Sequence, residues 1–362
     1  MTTSSWSRLS PVPDPGVLPD GYLRHAPTRT GLRDAISHLA RTEDWSVLRW
    51  SALVDALLAV GRTDIPLSRL VEGHVDAVRI LAQGEAAPRA DRLYGVWASR
   101  SAGTGVAAEA EGGDLLLSGT IRFASGAGVV DRALVPVWLD ESTHLLVDLA
   151  THDLPVDRGQ WQTAAMQVSQ SHTVRVDGVT VSRADVVGGE NFYLRRPEFL
   201  PGGVGVAAVW AGGLARALDV TQAMLDGRAV SPAQDLRLGR ARLQLIAALT
   251  AVRTAGERLD QLLGGRAARG SSPVASSPVG PVDPEPVDVE AVAAVSGEAR
   301  AVVAGAVIAA LADIRALVGP AGLAFDPDLG HALDDLGLYV AQLNGDAEAG
   351  RLGSQAREHP RS

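Results

Sequence analysis

The chain has 362 residues, 46% of them apolar and 21% charged, which is typical of a globular protein with a sizeable core. The net charge is −9 and no basic stripe is present, which argues against nucleic acid as a partner. Cysteine and lysine are both absent, so thiol catalysis, disulfides, cysteine-bound metals and Schiff-base chemistry are excluded.

Residues 29–90 carry the apolar spacing of helices. One helix is predicted from Ser46 to Val60 with Gly61 as its end, and a second from Leu67 onward, after Pro66. No apolar stretch at the N-terminus has the form of a secretory signal, and the most apolar run, 301–314, is too short to span a bilayer. We therefore expect a cytoplasmic protein without a membrane partner.

Residues 93–187 hold short alternating apolar segments separated by Gly, Asp and Ser, which predict an antiparallel sheet or small barrel. Two of these strands, 115–117 and 121–123, are expected to be joined by a turn at Ser118-Gly119. Phe123 then offers an apolar wall and Ser125 a hydrogen-bonding hydroxyl, so a flat ring such as a flavin fits here, although many hairpins share this pattern.

Long Ala/Leu/Val-rich helices follow from residue 205, and the fold class is therefore α+β with segregated helical and sheet blocks. The predicted organisation is a disordered N-terminus (1–25), a short N-terminal helical domain (26–91), a middle antiparallel β-barrel-like domain (92–200), a C-terminal four-helix bundle (201–345) with a flexible loop at 264–286, and a tail (346–362).

Isolated acidic residues and histidines give weaker indications of a functional site. His74 lies on the apolar face of its helix, which favours a core histidine over a general base. The pair Glu72 and Asp76, four residues apart, and the pair Asp334-Asp335 are expected on solvated helix faces. No histidines are spaced as metal ligands on one helix, so no metal site is predicted.

Three segments, which follow one another in the same order along the chain, resemble the acyl-CoA dehydrogenase family of flavoproteins. Tyr94-Gly-Val-Trp97 with Ser101-Ala-Gly-Thr104 is similar to the family's Tyr-x-x-Thr-Glu-Pro-x-Ala-Gly-Ser-Asp signature. Residues 117–127 are similar to its Leu-x-Gly-x-Lys-x-Trp/Phe-Ile-Thr/Ser segment, whose aromatic and hydroxyl groups contact the flavin. Residues 166–188 resemble the closing stretch of its β domain.

The resemblance implies FAD bound between the β domain and the bundle of a homodimer or homotetramer, and oxidation of an acyl thioester. It assigns flavin contacts to the two signature segments and to an arginine of the bundle, here Trp97, Ser99, Phe123, Ala124, Ser125 and Arg237. The family's phosphate-binding arginine falls at Asp235, for which Arg237 is the expected substitute.

The family's catalytic glutamate aligns with Leu343-Asn344 or Asn344-Gly345, so the usual base is missing. Asp346, Asp335 and His74 are the remaining candidates for a proton acceptor. Three functions stay open: a flavin-dependent acyl thioester oxidoreductase, a flavin-dependent monooxygenase of the same fold that needs no such glutamate, and a catalytically degenerate subunit that partners an active homologue. The Arg-, Ala- and Gly-rich composition is typical of a GC-rich bacterial genome.

Overall fold

Three helices, a sheet and a second group of helices follow one another along the chain, as the α+β class predicts. The computed structural model describes residues 10–100, 103–263 and 287–358, so the predicted flexible loop 264–286 lies outside the described residues. The helices are α1 (Arg29–Ala40), α2 (Trp50–Thr63), α3 (Ile65–Gln83), α4 (Phe192–Arg195), α5 (Gly202–Leu225), α6 (Pro232–Leu263), α7 (Val289–Phe325), α8 (Pro327–Val340) and α9 (Gly345–Glu358).

The strands form a mixed sheet in the order β6-β7-β3-β2-β4-β5-β8, with β1 paired to β4. They are β1 (Tyr94–Val96), β2 (Gly105–Glu111), β3 (Asp114–Ala124), β4 (Arg132–Trp138), β5 (His144–Ala150), β6 (Val156–Asp157), β7 (His172–Val181) and β8 (Val186–Val187). Most pairs are antiparallel, as expected, but β4 runs parallel to both β1 and β2.

The predicted hairpin at Ser118-Gly119 is wrong, because residues 114–124 form the single strand β3. Gly119 lies in the strand with φ of 147°, and a Cβ there would lie 2.1 Å from the carbonyl oxygen of Gly105. The glycine therefore permits close strand approach and does not reverse the chain.

The end of α2 is also different from the prediction. Gly61 does not stop the helix, which continues to Thr63. A Cβ on Gly61 would lie 2.4 Å from the carbonyl oxygen of Val209, so this glycine allows α2 to cross α5 at close range. Both helices contribute buried side chains to the main core.

Residues 10–25 are held against the helices by hydrogen bonds, so the expectation of disorder is wrong for this part of 1–25. Gly16 donates its backbone N–H to the Ala59 carbonyl at 3.2 Å, and the Arg62 side chain donates to the Pro13 carbonyl at 2.7 Å. At the other end, most of the predicted tail belongs to helix α9.

The bundle is built from α5 to α8, and two of its helices are long and apolar enough to cross a bilayer by length and composition. In the most apolar window of α5, 78% is buried within the protein, which identifies it as a core helix. The corresponding window of α7 is 44% buried, and α7 is interrupted at Gly319, where φ is 63°.

Candidate functional site

A cavity of about 620 Å³ lies where α3, the end of β3, the segment 161–171 and α8 meet. This volume is within the usual range for small-molecule sites. Its lining residues are Arg69, Glu72, Gly73, Asp76, Val96, Ala98, Ser99, Phe123, Ser125, Trp161, Met166, Ser169, Ser171, Tyr193, Val206, Leu338, Tyr339, Ala341 and Gln342.

Phe123 stands at the mouth of this cavity in a strained conformation. The register between β3 and β7 shifts between Ile121 and Ala124, and Phe123 within that shift has φ of 57°. A bulky residue in the left-handed region is a genuine outlier that costs on the order of 1 kcal/mol. The residue is nevertheless 60% exposed, so the strained backbone leaves an apolar side chain open beside the cavity.

Trp97 fixes the backbone just after Phe123. Its indole nitrogen donates to the Ser125 carbonyl at 2.9 Å, and the ring is 2% exposed. Gly126 donates its backbone N–H to the Ser169 carbonyl at 2.9 Å. These bonds hold the end of β3 against the loop that precedes β7.

Three serine hydroxyls form a chain along this wall. Ser125 Oγ lies 2.9 Å from Ser171 Oγ, which lies 2.8 Å from Ser169 Oγ. Ser169 Oγ donates in turn to the Met166 carbonyl at 2.7 Å. All three serines are buried.

Charged groups occupy the α3 side of the cavity. Arg69 donates to Glu72 at 2.5 Å, and Arg196 lies 3.4 Å from Asp76. Burial raises the pKa of Glu72, although the Arg69 guanidinium opposes that rise. Tyr339 lines the same cavity, and its hydroxyl is buried beside this pair.

The expectation that Glu72 and Asp76 lie on a solvated face is therefore wrong. Glu72 is 7% exposed and both carboxylates line the cavity. Their helix packs against elements far along the chain, among them α5 and α8, so no local pattern reveals this burial. The Arg69-x-x-Glu72 spacing, which suits an ion pair on one helix face, is the one local signal for it.

The predicted flavin contacts divide into three groups. Ser99, Phe123 and Ser125 line the cavity, and Trp97 lies directly behind it through its bond to Ser125. Ala124 is fully buried on the other face of β3 and does not line the cavity. Arg237 lies on α6, also outside the lining, and is paired with Asp313 at 2.6 Å.

None of the three candidate bases lines the cavity. His74 is buried and its Nδ1 accepts the Tyr94 backbone N–H at 3.1 Å, while burial lowers its pKa to about 4. Asp335 accepts the backbone N–H of Met166 behind the cavity wall. Asp346 is exposed in the first turn of α9. His74 is thus the core histidine that its position on the helix favours.

The α8 wall itself offers no ready proton acceptor. Its end contributes Leu338 and Tyr339, and the two residues just after Val340 contribute Ala341 and Gln342; none of the four is a carboxylate. Burial raises the pKa of Tyr339, so its phenol stays protonated. Among the described lining residues, the carboxylates are Glu72 and Asp76, and each lies close to an arginine.

Solved structures confirm the acyl-CoA dehydrogenase-like fold. Methanesulfinate monooxygenase MsuC from Pseudomonas fluorescens matches with a TM-score of 0.71 at 14% identity, over 91% of this chain and 89% of MsuC. TdsC from Paenibacillus sp. A11-2, in complex with FMN and indole, has a TM-score of 0.71 at 16% identity, over 91% of this chain and 94% of TdsC.

XiaF from Streptomyces sp., in complex with FADH2 and glycerol, matches with a TM-score of 0.65 at 18% identity, over 90% of this chain and 86% of XiaF. No family model and no curated protein matches the sequence. The likeness is therefore one of fold.

Proposed function

We propose that this chain is a flavin-dependent monooxygenase that acts on a small organic substrate. The observation that carries the proposal is the cavity beside Phe123 and Ser125, which combines a surface for a flat ring with an α8 wall that lacks a proton acceptor. Two further facts support it: MsuC is a methanesulfinate monooxygenase and TdsC a dibenzothiophene monooxygenase, and both share this fold.

The residues at the end of β3 suit a flavin. Phe123 presents an exposed aromatic surface, and the Ser125 hydroxyl lies at the cavity wall with its backbone anchored by Trp97. Reduced flavin supplies two electrons to dioxygen, so that one oxygen atom enters the substrate and the other leaves as water. The protein's share is to bind and orient the reactants and to exclude bulk water, which Trp161, Met166 and Val206 favour by lining the cavity with apolar surface.

Dehydrogenation of an acyl thioester is less well supported by the same geometry. That reaction requires a carboxylate that removes an α-proton opposite the flavin. Glu72 accepts a hydrogen bond from Arg69 in a buried pair, and its use as a base would disrupt that pair. A monooxygenase does not require a carboxylate on the α8 wall.

The test begins with flavin binding. Purified protein is titrated anaerobically with FMN and with FAD, each oxidised and reduced, because TdsC and XiaF were solved with FMN and FADH2 respectively. Three finer points stay predictions: that the flavin is FAD, that the protein is a homodimer or homotetramer, and that it is cytoplasmic. A separate flavin reductase then supplies reduced flavin in isotopically labelled dioxygen, with indole, dibenzothiophene and methanesulfinate as trial substrates.

One labelled oxygen atom in a product is the expected result. Asp346→Asn serves as the control and should keep full activity, because this exposed carboxylate lies outside the cavity lining. Bleaching of bound oxidised flavin by acyl-CoA without oxygen would overturn the proposal in favour of a dehydrogenase. Failure to bind either flavin would favour the degenerate subunit.

A further inference from the structure

A second cavity lies behind one wall of the first. That wall is the segment 166–171, which turns tightly because Met166 and Gln170 have φ of 57° and 47°. Its side chains divide between the two cavities: Met166, Ser169 and Ser171 line the first, and Gln167, Val168 and Gln170 line the second. The second cavity has a volume of about 390 Å³, which is enough for a small molecule.

The ionisable groups that line the second cavity are all basic. Among the described lining residues they are His25, Arg29 and Arg158, and none is a carboxylate. His25 is bonded to Asp328 at 2.5 Å, so the two arginines supply the unpaired charge. We call this space the basic cavity; its charge is opposite in sign to the net charge of −9 that the whole chain carries.

The guanidinium of Arg158 lies against the backbone of a glycine. Gly128 has φ of 79°, and a Cβ there would lie 2.7 Å from Nη2 of Arg158. The carboxylate of the preceding residue, Asp157, does not pair with this guanidinium but accepts the Gly159 N–H at 2.9 Å and the Gln160 side-chain amide at 2.8 Å. Arg158 has no ion-pair partner in the described part of the chain, so its charge is open to a ligand.

Arg29 is a cation at the positive end of a helix. It is the first residue of α1, a helix of 12 residues with no acidic side chain in its first turn. Arg33, one turn later, is paired with Asp131 at 3.0 Å, whereas Arg29 has no ion-pair partner among the residues that the structure describes. The helix dipole disfavours a positive charge at this end, and a bound anion would compensate both the dipole and the arginine.

We propose that the basic cavity is a second ligand site, in which Arg29 and Arg158 hold the phosphate group of a small phosphate monoester. A guanidinium group binds such an oxyanion through two parallel hydrogen bonds. The cavity is larger than a phosphate ion, and Leu32, Val129 and Val168 give it an apolar side on which a short organic group fits. This site is separate from the flavin cavity and goes beyond the proposed function.

Calorimetric titration of the full-length protein tests this site. The probes are inorganic phosphate and phenyl phosphate, each in a chloride buffer of constant ionic strength, because salt screens the attraction between charges. Both probes should bind, and phenyl phosphate should bind about ten-fold more tightly because its ring adds apolar contact. Equal affinities would still support an oxyanion site but would assign it to free phosphate.

Arg29→Gln and Arg158→Gln locate the bound anion. Each change removes one guanidinium and should weaken binding of both probes by about ten-fold, the effect of losing one charge-assisted hydrogen bond. Both arginines are exposed, so neither change should disturb the fold. Arg183→Gln is the matched control, because it removes the same charge from an exposed position outside the cavity lining and should leave the affinity unchanged.

Failure of the wild type to bind either probe would overturn the inference, and so would unchanged affinity in both cavity variants. An equal loss in Arg183→Gln would also overturn it, because binding would then follow the net charge and not the site. Flavin titration of the same preparations separates this inference from the proposed function. Protein that binds phosphate but no flavin overturns the proposed function alone, and protein that binds flavin but neither phosphate probe overturns the inference alone.

Discussion

The carboxylate of Asp335 on α8 accepts a hydrogen bond from the backbone nitrogen of Met166 at 2.5 Å. Met166 has φ of 57°, and its carbonyl is the last acceptor of the serine chain. A single side chain thus connects the bundle to the strained turn that forms one wall of the cavity. Asp335 is therefore a positioning residue, because it acts on the wall through Met166.

This bond makes stability depend on pH. Burial raises the pKa of Asp335 from 3.8 to about 7, helped by the charge of Asp64 and opposed by the Met166 N–H and by His25. Between these two values the native state binds more protons than the unfolded state, so this group reduces stability as pH rises from about 4 to about 7. Above about 7 its contribution is constant.

Asp335→Asn keeps an oxygen for the Met166 N–H but removes the titration. Between about pH 5 and pH 8, we expect the free energy of unfolding to fall more in the wild type than in this variant, by on the order of 2 kcal/mol. Urea unfolding at both pH values measures the difference. Asp334→Asn is the control, because that exposed neighbour should leave the pH slope nearly unchanged. Equal slopes in Asp335→Asn and the wild type would contradict the assignment.

Trp97→Phe tests the anchor behind the cavity. The change deletes the N–H that bonds to the Ser125 carbonyl, and we expect a loss of about 1–2 kcal/mol in stability together with several-fold weaker flavin binding. Trp45→Phe is a matched control, since the Trp45 indole is equally buried and donates to the Ala40 carbonyl at 2.8 Å. It should lose similar stability with unchanged flavin affinity. Equal flavin affinities in both variants would show that the anchor is purely structural.

Phe123→Gly tests whether the strained backbone at residue 123 serves flavin binding. Glycine adopts a φ of 57° without penalty, so the variant should be at least as stable as the wild type despite the loss of a large side chain. Flavin affinity should nevertheless fall by about ten-fold, the effect of roughly 1.4 kcal/mol, as the aromatic surface is lost.

Glu85→Gly is the companion variant. Glu85 has nearly the same φ, 56°, and lies exposed outside the cavity lining. Its change should add about 1 kcal/mol of stability and leave flavin binding unaltered. Strong destabilisation of Phe123→Gly in thermal or urea unfolding would show that the ring serves packing.

That Phe123 and Ser125 lie beside one cavity is predictable because they are two residues apart at the end of β3. Strand alternation would bury Phe123 on the same face as Ile121, but Phe123 has a positive φ within the register shift and is 60% exposed. The course of β3 is less predictable. Ser118-Gly119 is typical of a turn, and only the close approach of Gly105 on the neighbouring strand shows that the chain runs straight through.

The surroundings of a charged side chain cannot be predicted from local sequence pattern where they depend on elements that are distant along the chain. Acids spaced like Glu72 and Asp76 are usually solvated, and their place in the cavity depends on α8. Arg237 is the expected substitute for the family's arginine, which falls at Asp235, yet it bonds Asp313 of α7 and lies outside the cavity lining. Motif order therefore predicts the fold better than it predicts which charged groups meet.

Gly61 shows how a helix crossing differs from a helix end, and it supports a last prediction. A methyl group there would lie 2.4 Å from the Val209 carbonyl and 3.1 Å from the Gly212 Cα, so Gly61→Ala should force α2 from α5 and cost about 1–3 kcal/mol. Gly239→Ala, on the exposed face of α6 with no atom within 4 Å of the added methyl, should instead add about 0.5–1 kcal/mol. Urea unfolding of both variants measures the contrast. If both changes stabilised the protein, α2 and α5 would not cross at the distance described, since only a gap at Gly61 would let helix propensity decide the sign.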